Sequence, residues 1–221
     1  MSSTIDNLKK IKSTISTNIK LVVVSKTRTI EDILEIYNNG HKIFGENKVQ
    51  EIAAKYPLLP KNIEWHFIGH LQTNKVKYIA SYINMIHSID SLRLLQQINK
   101  QAIKNNRIID CLFEILISND ITKYGLHYED VVAVIENPSF KELHNIRIKG
   151  VMGMASLTDD KQLIRQEFKH LKHYFDSLKN KYFADDTEFS EISMGMSNDY
   201  LIAIEEGATI IRIGTAIFGN S

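Results

Sequence analysis

Short apolar runs alternate with longer amphipathic patterns along almost the whole chain, and this alternation is what most constrains the fold. Each run is short enough for one strand, and the pattern after it has helical spacing. The eight strand candidates are residues 21–26, 42–47, 63–70, 85–90, 111–118, 146–154, 189–195 and 209–214. One further helical pattern precedes the first of them. Strict alternation of this kind predicts a parallel sheet covered by helices.

Eight strand–helix units predict an α/β fold, a (β/α)8 barrel with an extra N-terminal helix. An open, doubly wound sheet is the alternative. No G-x-G-x-x-G follows the first strand, which disfavours the dinucleotide-binding form of that sheet. The chain has no linker rich in Pro, Gly or Ser, so we expect a single domain over residues 1–221.

Charge and cysteine content narrow the classes of function. The net charge is +1 without a long basic block, so nucleic acid is not an expected partner. The one cysteine, Cys111, leaves no internal disulfide and suits a reducing compartment. The N-terminus lacks the apolar core of a signal peptide, and no apolar run approaches the roughly 20 residues that span a bilayer. We therefore expect a cytoplasmic protein that does not bind membranes.

A lysine stands where the first predicted strand ends. In such barrels the functional side chains lie at the C-terminal ends of the strands, and Lys26 takes that position. A lysine amine in apolar surroundings can attack a carbonyl carbon and form a Schiff base. The alternative is a lysine that marks the strand end and reaches solvent.

The loops after the last two strands carry small polar residues. Ser197 follows the seventh strand, Gly214 and Thr215 follow the eighth, and a helical pattern comes after each. Helix N-termini offer unpaired N–H groups and partial positive charge, so two neighbouring loops of this type predict a phosphate site. The alternative is ordinary capping, with Ser197 as the N-cap of the next helix.

An arginine interrupts the eighth apolar run. Arg212 lies inside "TIIRIG", and a buried guanidinium is costly unless its donors are paired. It could form a salt bridge with Glu191 or Glu114, or donate to a ligand beside the phosphate. His66 and His70 have no carboxylate or cysteine at matched spacing, so no metal site is expected.

Several long motifs occur together in this chain. They are "LVVVSKT", "FGENKVQE", "WHFIGHLQTNK", "HSID", "TKYG", "SMGMSNDYLIAIEEGAT" and "RIGTAIFG". In sequence and order they resemble the YggS/PROSC family of pyridoxal 5′-phosphate (PLP) homeostasis proteins. The resemblance runs from about residue 21 to residue 219. It implies a single (β/α)8 barrel similar to the barrel domain of alanine racemase, which agrees with the strand count.

The resemblance also implies PLP as the cofactor and gives roles to the residues. Lys26 matches the lysine that forms the internal aldimine with PLP. Arg212 matches the arginine that faces the pyridine nitrogen. The other matches are Ser197, Gly214 and Thr215 around the phosphate, and Asn47 and Met194 in the lining of the same pocket.

An arginine in that place has a chemical consequence. Because a guanidinium cannot accept a proton, the ring facing it is a weaker electron sink than one paired with a carboxylate. Alanine racemase also uses a tyrosine from a second domain and subunit, for which this sequence shows no counterpart. The resemblance thus implies a protein that binds, buffers or delivers PLP without strong catalysis. PLP-dependent apoenzymes would be its transient partners, and we expect a monomer.

Two other functions stay open at this point. A small PLP-dependent amino-acid racemase would need a base opposite Lys26, for which Tyr124 and His70 are the candidates. A phosphosugar enzyme could use Lys26 in a Schiff base without PLP. The sequence departs from the family in the loop after the fifth strand. Leu116 replaces the usual asparagine, Asp120 the usual glutamate, and Lys123-Tyr124-Gly125 the usual K-S-G. Ligand contacts from this loop therefore do not follow from the resemblance.

Overall fold

A computed structural model describes residues 3–118 and 124–219. Within these ranges eight parallel strands pair in chain order, and the last pairs with the first to close a barrel. The strands are β1 (Lys20–Val24), β2 (Ile43–Glu46), β3 (Glu64–Phe67), β4 (Met85–Ile89), β5 (Ile109–Glu114), β6 (Ile146–Met152), β7 (Glu191–Ser193) and β8 (Ile210–Ile213). Each overlaps a predicted strand. The predicted (β/α)8 barrel is confirmed, and the open-sheet alternative is wrong because β8 pairs with β1.

The helices lie between the strands, with one before the barrel as predicted. They are α1 (Ser3–Thr14), α2 (Ile30–Asn38), α3 (Val49–Lys55), α4 (Leu92–Lys104), α5 (Tyr128–Glu136), α6 (Lys161–Tyr182), α7 (Tyr200–Glu205) and α8 (Thr215–Phe218). After β3 the predicted α-helix is replaced by a 3₁₀ helix, Thr73–Tyr78. No helix in the described ranges combines the length and apolar character needed to cross a membrane. The single-domain prediction extends to residues outside these ranges and stays a prediction.

The start of α2 is fixed by a reciprocal pair of hydrogen bonds. Asp32 N donates to Thr29 Oγ1 at 3.2 Å, and Thr29 N donates to Asp32 Oδ2 at 3.0 Å. This capping box satisfies two backbone donors that the first turn of a helix leaves unpaired. It therefore sets where α2 begins, directly after the turn that carries Lys26.

The barrel has two apolar regions. The larger lies between the strands and the helices and includes the fully buried rings of Phe44, Trp65 and Phe67. A smaller cluster takes one side chain from each of five strands, as expected for the barrel interior: Val22, Met85, Leu112, Met152 and Ile210. Side chains that alternate along a strand therefore face either the interior or the helices.

The barrel is tightest where β6 passes β7. Gly150 pairs with Glu191 and has a φ of 149°, and a Cβ at this position would lie 1.8 Å from the carbonyl oxygen of Glu191. The register between β5 and β6 also shifts between Cys111 and Leu112, and Leu112 pairs with Gly150. Only glycine allows β6 to approach β7 this closely.

We expect Gly150→Ala to lower the free energy of unfolding by about 3 kcal/mol or more, because the two strands must separate to admit the methyl group. Gly40→Ala is the matched control. Gly40 also has a positive φ, 83°, but a Cβ there would meet no atom within 4 Å. Its cost should be about 1 to 2 kcal/mol from backbone strain alone. Urea unfolding followed by Trp65 fluorescence measures both, and equal losses would contradict the close-approach argument.

Candidate functional site

A cleft of about 870 Å³ opens at the C-terminal ends of the strands. It is bordered by the loops after β1, β6, β7 and β8, and its size is typical of small-molecule sites. Five of the predicted site residues line it: Lys26, Ser197, Arg212, Gly214 and Thr215. The barrel thus brings together residues from both ends of the chain.

Lys26 follows β1 and is exposed on the wall of this cleft. Its side chain makes no hydrogen bond or ion pair with any residue in the described ranges. Its amine is therefore accessible to a ligand in the cleft.

Ser197 joins the two loops that were predicted to hold a phosphate. Its Oγ accepts a hydrogen bond from Ala216 N, in the first turn of α8, at 3.1 Å. The alternative that Ser197 is the N-cap of α7 is wrong, because Asp199 occupies that position. Asp199 Oδ1 instead accepts from Met196 N at 2.5 Å, which tightens the loop after β7.

The same two loops offer further donors to an anion. The hydroxyls of Ser197 and Thr215 border the cleft. The backbone N–H groups of Asn198 and Thr215 make no hydrogen bond to any described residue. Gly214 lies against β1, and a Cβ there would sit 3.3 Å from both the Cβ and the carbonyl oxygen of Val24. Four basic residues and two acidic ones line the cleft, namely Lys26, Arg28, Lys161 and Arg212 against Asp159 and Asp199. This balance favours an anionic ligand.

Arg212 is 4% exposed and is held by neutral acceptors. Nη1 donates to Ser193 Oγ at 2.6 Å and Nη2 to the carbonyl oxygen of Gly153 at 3.1 Å. It forms no ion pair within 4 Å among the described residues, so the predicted salt bridge with Glu191 or Glu114 is not formed. Burial lowers the pKa of Arg212 to about 10, opposed by the charges of Asp199 and Glu114, and the guanidinium stays charged at neutral pH.

A chain of buried hydrogen bonds continues from Arg212 into the barrel. Ser193 Oγ lies 2.9 Å from His87 Nδ1, and His87 Nε2 lies 2.9 Å from His66 Nδ1. A guanidinium only donates, and among the described residues the one acceptor within reach of the Ser193 hydroxyl proton is His87 Nδ1, so Ser193 donates to it. His87 then carries its proton on Nε2 and donates to His66. The charge of Arg212 thus sets the direction of every bond in this Arg–Ser–His–His chain.

Both histidines of this chain are neutral. Burial lowers the pKa of His66 to about 3, with a smaller effect from the charge of Lys20. Burial also holds the pKa of His87 well below its usual value, and the neighbouring His66 and Arg212 lower it further. No local sequence pattern points to this chain of hydrogen bonds, because its four members lie on four different strands.

Two predicted pocket residues do not line the cleft. Ser193 points into the barrel, so the next side chain, Met194, turns outward and is fully buried in the core beneath the helices. Asn47 follows β2 and is half-buried, and its Oδ1 is buried without a hydrogen-bond partner in residues 3–118 and 124–219. The pocket-lining position expected for these two residues is therefore not observed.

The loop after β6 forms a wall that sequence reasoning missed. Ser156 lines the cleft, and the buried carboxylate of Glu167 on α6 accepts from both its N–H at 2.7 Å and its hydroxyl at 2.6 Å. This pair fixes the loop on the helix that follows it. Next to it, Leu157 is 92% exposed at the rim.

The candidate bases for a racemase lie together outside the residues that line the cleft. His70 Nδ1 is 3.1 Å from Asp90 Oδ2, and the ring of Tyr124 stacks on that of His70 with centroids 4.0 Å apart. Leu116 is half-buried, and Asp120 and Lys123 lie outside the described residues. In residues 3–118 and 124–219, no group of three or more His, Cys, Asp or Glu side chains is placed to hold a metal ion.

We expect the neutral histidines to make folding sensitive to acid. An unfolded histidine takes up a proton near pH 6.5, while His66 in the folded chain does so only near pH 3. Above pH 6.5, His66 is neutral in both states and does not lower the free energy of unfolding. As the pH falls below 6.5, the unfolded chain takes up a proton that folded His66 does not, and the free energy of unfolding decreases. Between pH 6.5 and 5 the loss is on the order of 2 kcal/mol.

His66→Asn tests this assignment, since the asparagine oxygen can still accept from His87 but does not titrate. The variant should lose less stability than the wild type between pH 7 and 5 in urea unfolding. Exposed His170→Asn is the control and should follow the wild type. Burial raises the pKa values of Glu46 and Glu114, so these carboxyl groups favour folding as the pH falls. Their effect is the same in the wild type and in both variants, and it cancels in the comparison. An identical pH dependence in His66→Asn and the wild type would refute a buried neutral His66.

Known proteins are similar to this chain in both sequence and fold. The family model described as the N-terminal domain of alanine racemase matches residues 2–221. The pyridoxal phosphate homeostasis protein of Aquifex aeolicus is 42% identical over 202 residues, which cover 91% of this chain and 86% of that protein.

Two solved structures are informative. PipY of Synechococcus elongatus, solved with PLP bound, has a TM-score of 0.88 at 30% identity and covers 99% of this chain and 100% of its own. An alanine racemase of Clostridium difficile has a TM-score of 0.76 at 13% identity and covers 99% of this chain and 57% of its own, which shows a shared fold. The chain belongs to the alanine racemase N-terminal domain family and, within it, to the pyridoxal phosphate homeostasis proteins.

Proposed function

We propose that this protein binds PLP through Lys26 and keeps or delivers it, without strong catalysis of its own. The observation that carries the proposal is the cleft itself, where the Lys26 amine, a set of donors suited to a phosphate and the buried Arg212 face one space. The relatives named for PLP homeostasis, and PipY with its bound PLP, support the choice of ligand.

The residues present fit PLP. When bound, PLP supplies an aldehyde that condenses with a lysine amine to a Schiff base with release of water, and a ring that withdraws electrons. Lys26 offers the amine. The hydroxyls of Ser197 and Thr215, together with the free N–H of Asn198 and Thr215, offer donors for a phosphate. Arg212 offers a charged edge that is already oriented by Ser193 and Gly153.

The character of Arg212 supports binding without strong catalysis. A guanidinium cannot take up a proton, and its charge is retained at neutral pH. It therefore cannot help the ring to gain the proton that strong carbanion stabilisation needs. A role that stores or transfers PLP to apoenzymes, as a cytoplasmic monomer, requires only an accessible, reversible site.

The other two functions have less support. A racemase needs a base at the cleft, and His70 and Tyr124 are not among the residues that line it. A phosphosugar enzyme would use the same lysine and phosphate donors, but the relatives at 42% and 30% identity are associated with PLP. A test with each amino acid and with phosphosugars, read by chiral chromatography and product analysis, should show no turnover.

We expect the wild-type protein mixed with PLP to gain a visible absorbance band and, after borohydride reduction, a pyridoxyl-phosphate mass on the peptide that contains Lys26. Lys26→Ala should lose at least about 90% of that trapped product, because the amine that would form the Schiff base is removed. Lys169→Ala, an exposed lysine on α6, is the control and should behave as the wild type. A label spread over surface lysines, or a Lys26→Ala variant with an unchanged band, would refute the role of Lys26.

We expect Ser197→Ala to weaken PLP binding about tenfold, since it removes one charge-assisted hydrogen bond and releases Ala216 N. Binding of pyridoxal, which lacks the phosphate, should change by less than about threefold. Thr187→Ala, an exposed threonine, serves as the control. Titration calorimetry measures both ligands, and equal losses for PLP and pyridoxal would contradict the phosphate assignment.

A further inference from the structure

The backbone on both sides of Lys26 is held by side chains of α3. Lys55 Nζ donates to the carbonyl oxygen of Ser25 at 2.9 Å, and Thr27 N donates to Glu51 Oε2 at 2.8 Å. Lys26 itself has no side-chain partner among the described residues. The backbone sets the direction in which the Lys26 side chain leaves the chain, and the two bonds from α3 hold that backbone.

The turn that carries Lys26 is strained. Ser25 O accepts from Arg28 N at 3.1 Å, which closes a four-residue turn with Thr27 in its third position. Thr27 has a φ of 63°, a left-handed conformation that this position of a turn normally gives to glycine. A β-branched residue is disfavoured there, so the conformation needs support from elsewhere.

Glu51 supplies that support from a buried ionic cluster. Lys55 Nζ lies 2.8 Å from Glu46 Oε1 and 3.3 Å from Glu51 Oε2, and Ser25 Oγ donates to Glu46 Oε1 at 2.7 Å. Glu46 is fully buried, and the side chain of Lys55 is 11% exposed. Both carboxylates contact the Lys55 ammonium, while Glu46 Oε2 is buried without a hydrogen-bond partner among the described residues. Glu51 thus meets Thr27 as a positioned, charged acceptor.

Ionisation of Glu51 is favoured in this setting. Burial by itself opposes the charge, but the hydrogen bonds from Thr27 N and Lys55, with the charges of Lys55 and Lys48, outweigh it and lower the pKa of Glu51. A hydrogen bond to an ionised acceptor is stronger than a neutral one. It is the contact that can offset the left-handed conformation of Thr27.

We propose that Glu51 is a positioning residue for Lys26, which holds Thr27 in its left-handed conformation and so directs the Lys26 amine into the cleft. This inference rests on the proposed function, because it explains how Lys26 is presented to PLP. Lys55 is less suited to a test, since its removal would leave Glu46 buried without a cation.

The test compares Glu51→Ala with the double variant Glu51→Ala/Thr27→Gly. Glycine adopts a positive φ without strain, so it should form the turn without Glu51. Glu51→Gln keeps an oxygen that can accept from Thr27 N. Glu31→Ala, an exposed carboxylate on α2, is the control for loss of one negative charge. Thermal unfolding checks that each variant is folded.

Two readouts are measured. The first needs no PLP: hydrogen exchange of the Arg28 amide, which reports closure of the turn onto Ser25 O. The second is the initial rate of borohydride-trapped PLP on the Lys26 peptide. In Glu51→Ala we expect exchange at least about tenfold faster and trapping at least about tenfold slower. Thr27→Gly in the double variant should restore both to within about threefold of the wild type. Glu51→Gln keeps a neutral, weaker acceptor and should lie between the wild type and Glu51→Ala.

Unchanged exchange and trapping in Glu51→Ala would overturn the inference. It would also be overturned if the double variant failed to restore them, because glycine needs no support at a positive φ and Glu51 would then act in some way other than through the turn. If the wild type trapped no PLP on Lys26, the proposed function would fail, and the exchange of the Arg28 amide would still decide whether Glu51 holds the turn.

Discussion

Pairing of β8 with β1 is the constraint on which the rest of the structure depends. It sets Arg212 beside Val22 and places the loops that follow the two strands next to each other. In an open sheet, Lys26 and Thr215 would stand at opposite edges. The cleft therefore exists only because the sheet closes, and a change at Gly150 acts on it directly, since the loops after β6 and β7 border the cleft.

The interior of the barrel is organised around one buried charge. Arg212 has no carboxylate within 4 Å in the described ranges, so its charge is compensated by the dipoles of Ser193, Gly153 and the two histidines behind them. With Arg212 donating at one end, the chain of hydrogen bonds has one consistent arrangement of its protons, and this arrangement fixes the orientation of the guanidinium.

The sequence predicts the strands and the loops at the cleft, because both follow from local patterns. It does not predict the partner of Arg212. Glu191 and Ser193 lie two residues apart on the same face of β7, and the stagger of β8 decides which of them Arg212 meets, while Glu191 pairs with Lys20. The resemblance also suggested Met194 for the pocket, but the alternation of side chains along β7 turns Met194 toward the helices. Contacts between distant strands carry no signal in a single sequence.

The hydrogen bond from Ala216 to Ser197 bears on the rates at which a ligand would enter and leave the cleft. It couples the loops after β7 and β8 before any ligand arrives, so little conformational entropy remains to be lost when a phosphate binds between them. Under the proposed function, neither loop would have to refold when PLP leaves. The residence time of PLP would then be set by its bond to Lys26, and not by the opening of a lid.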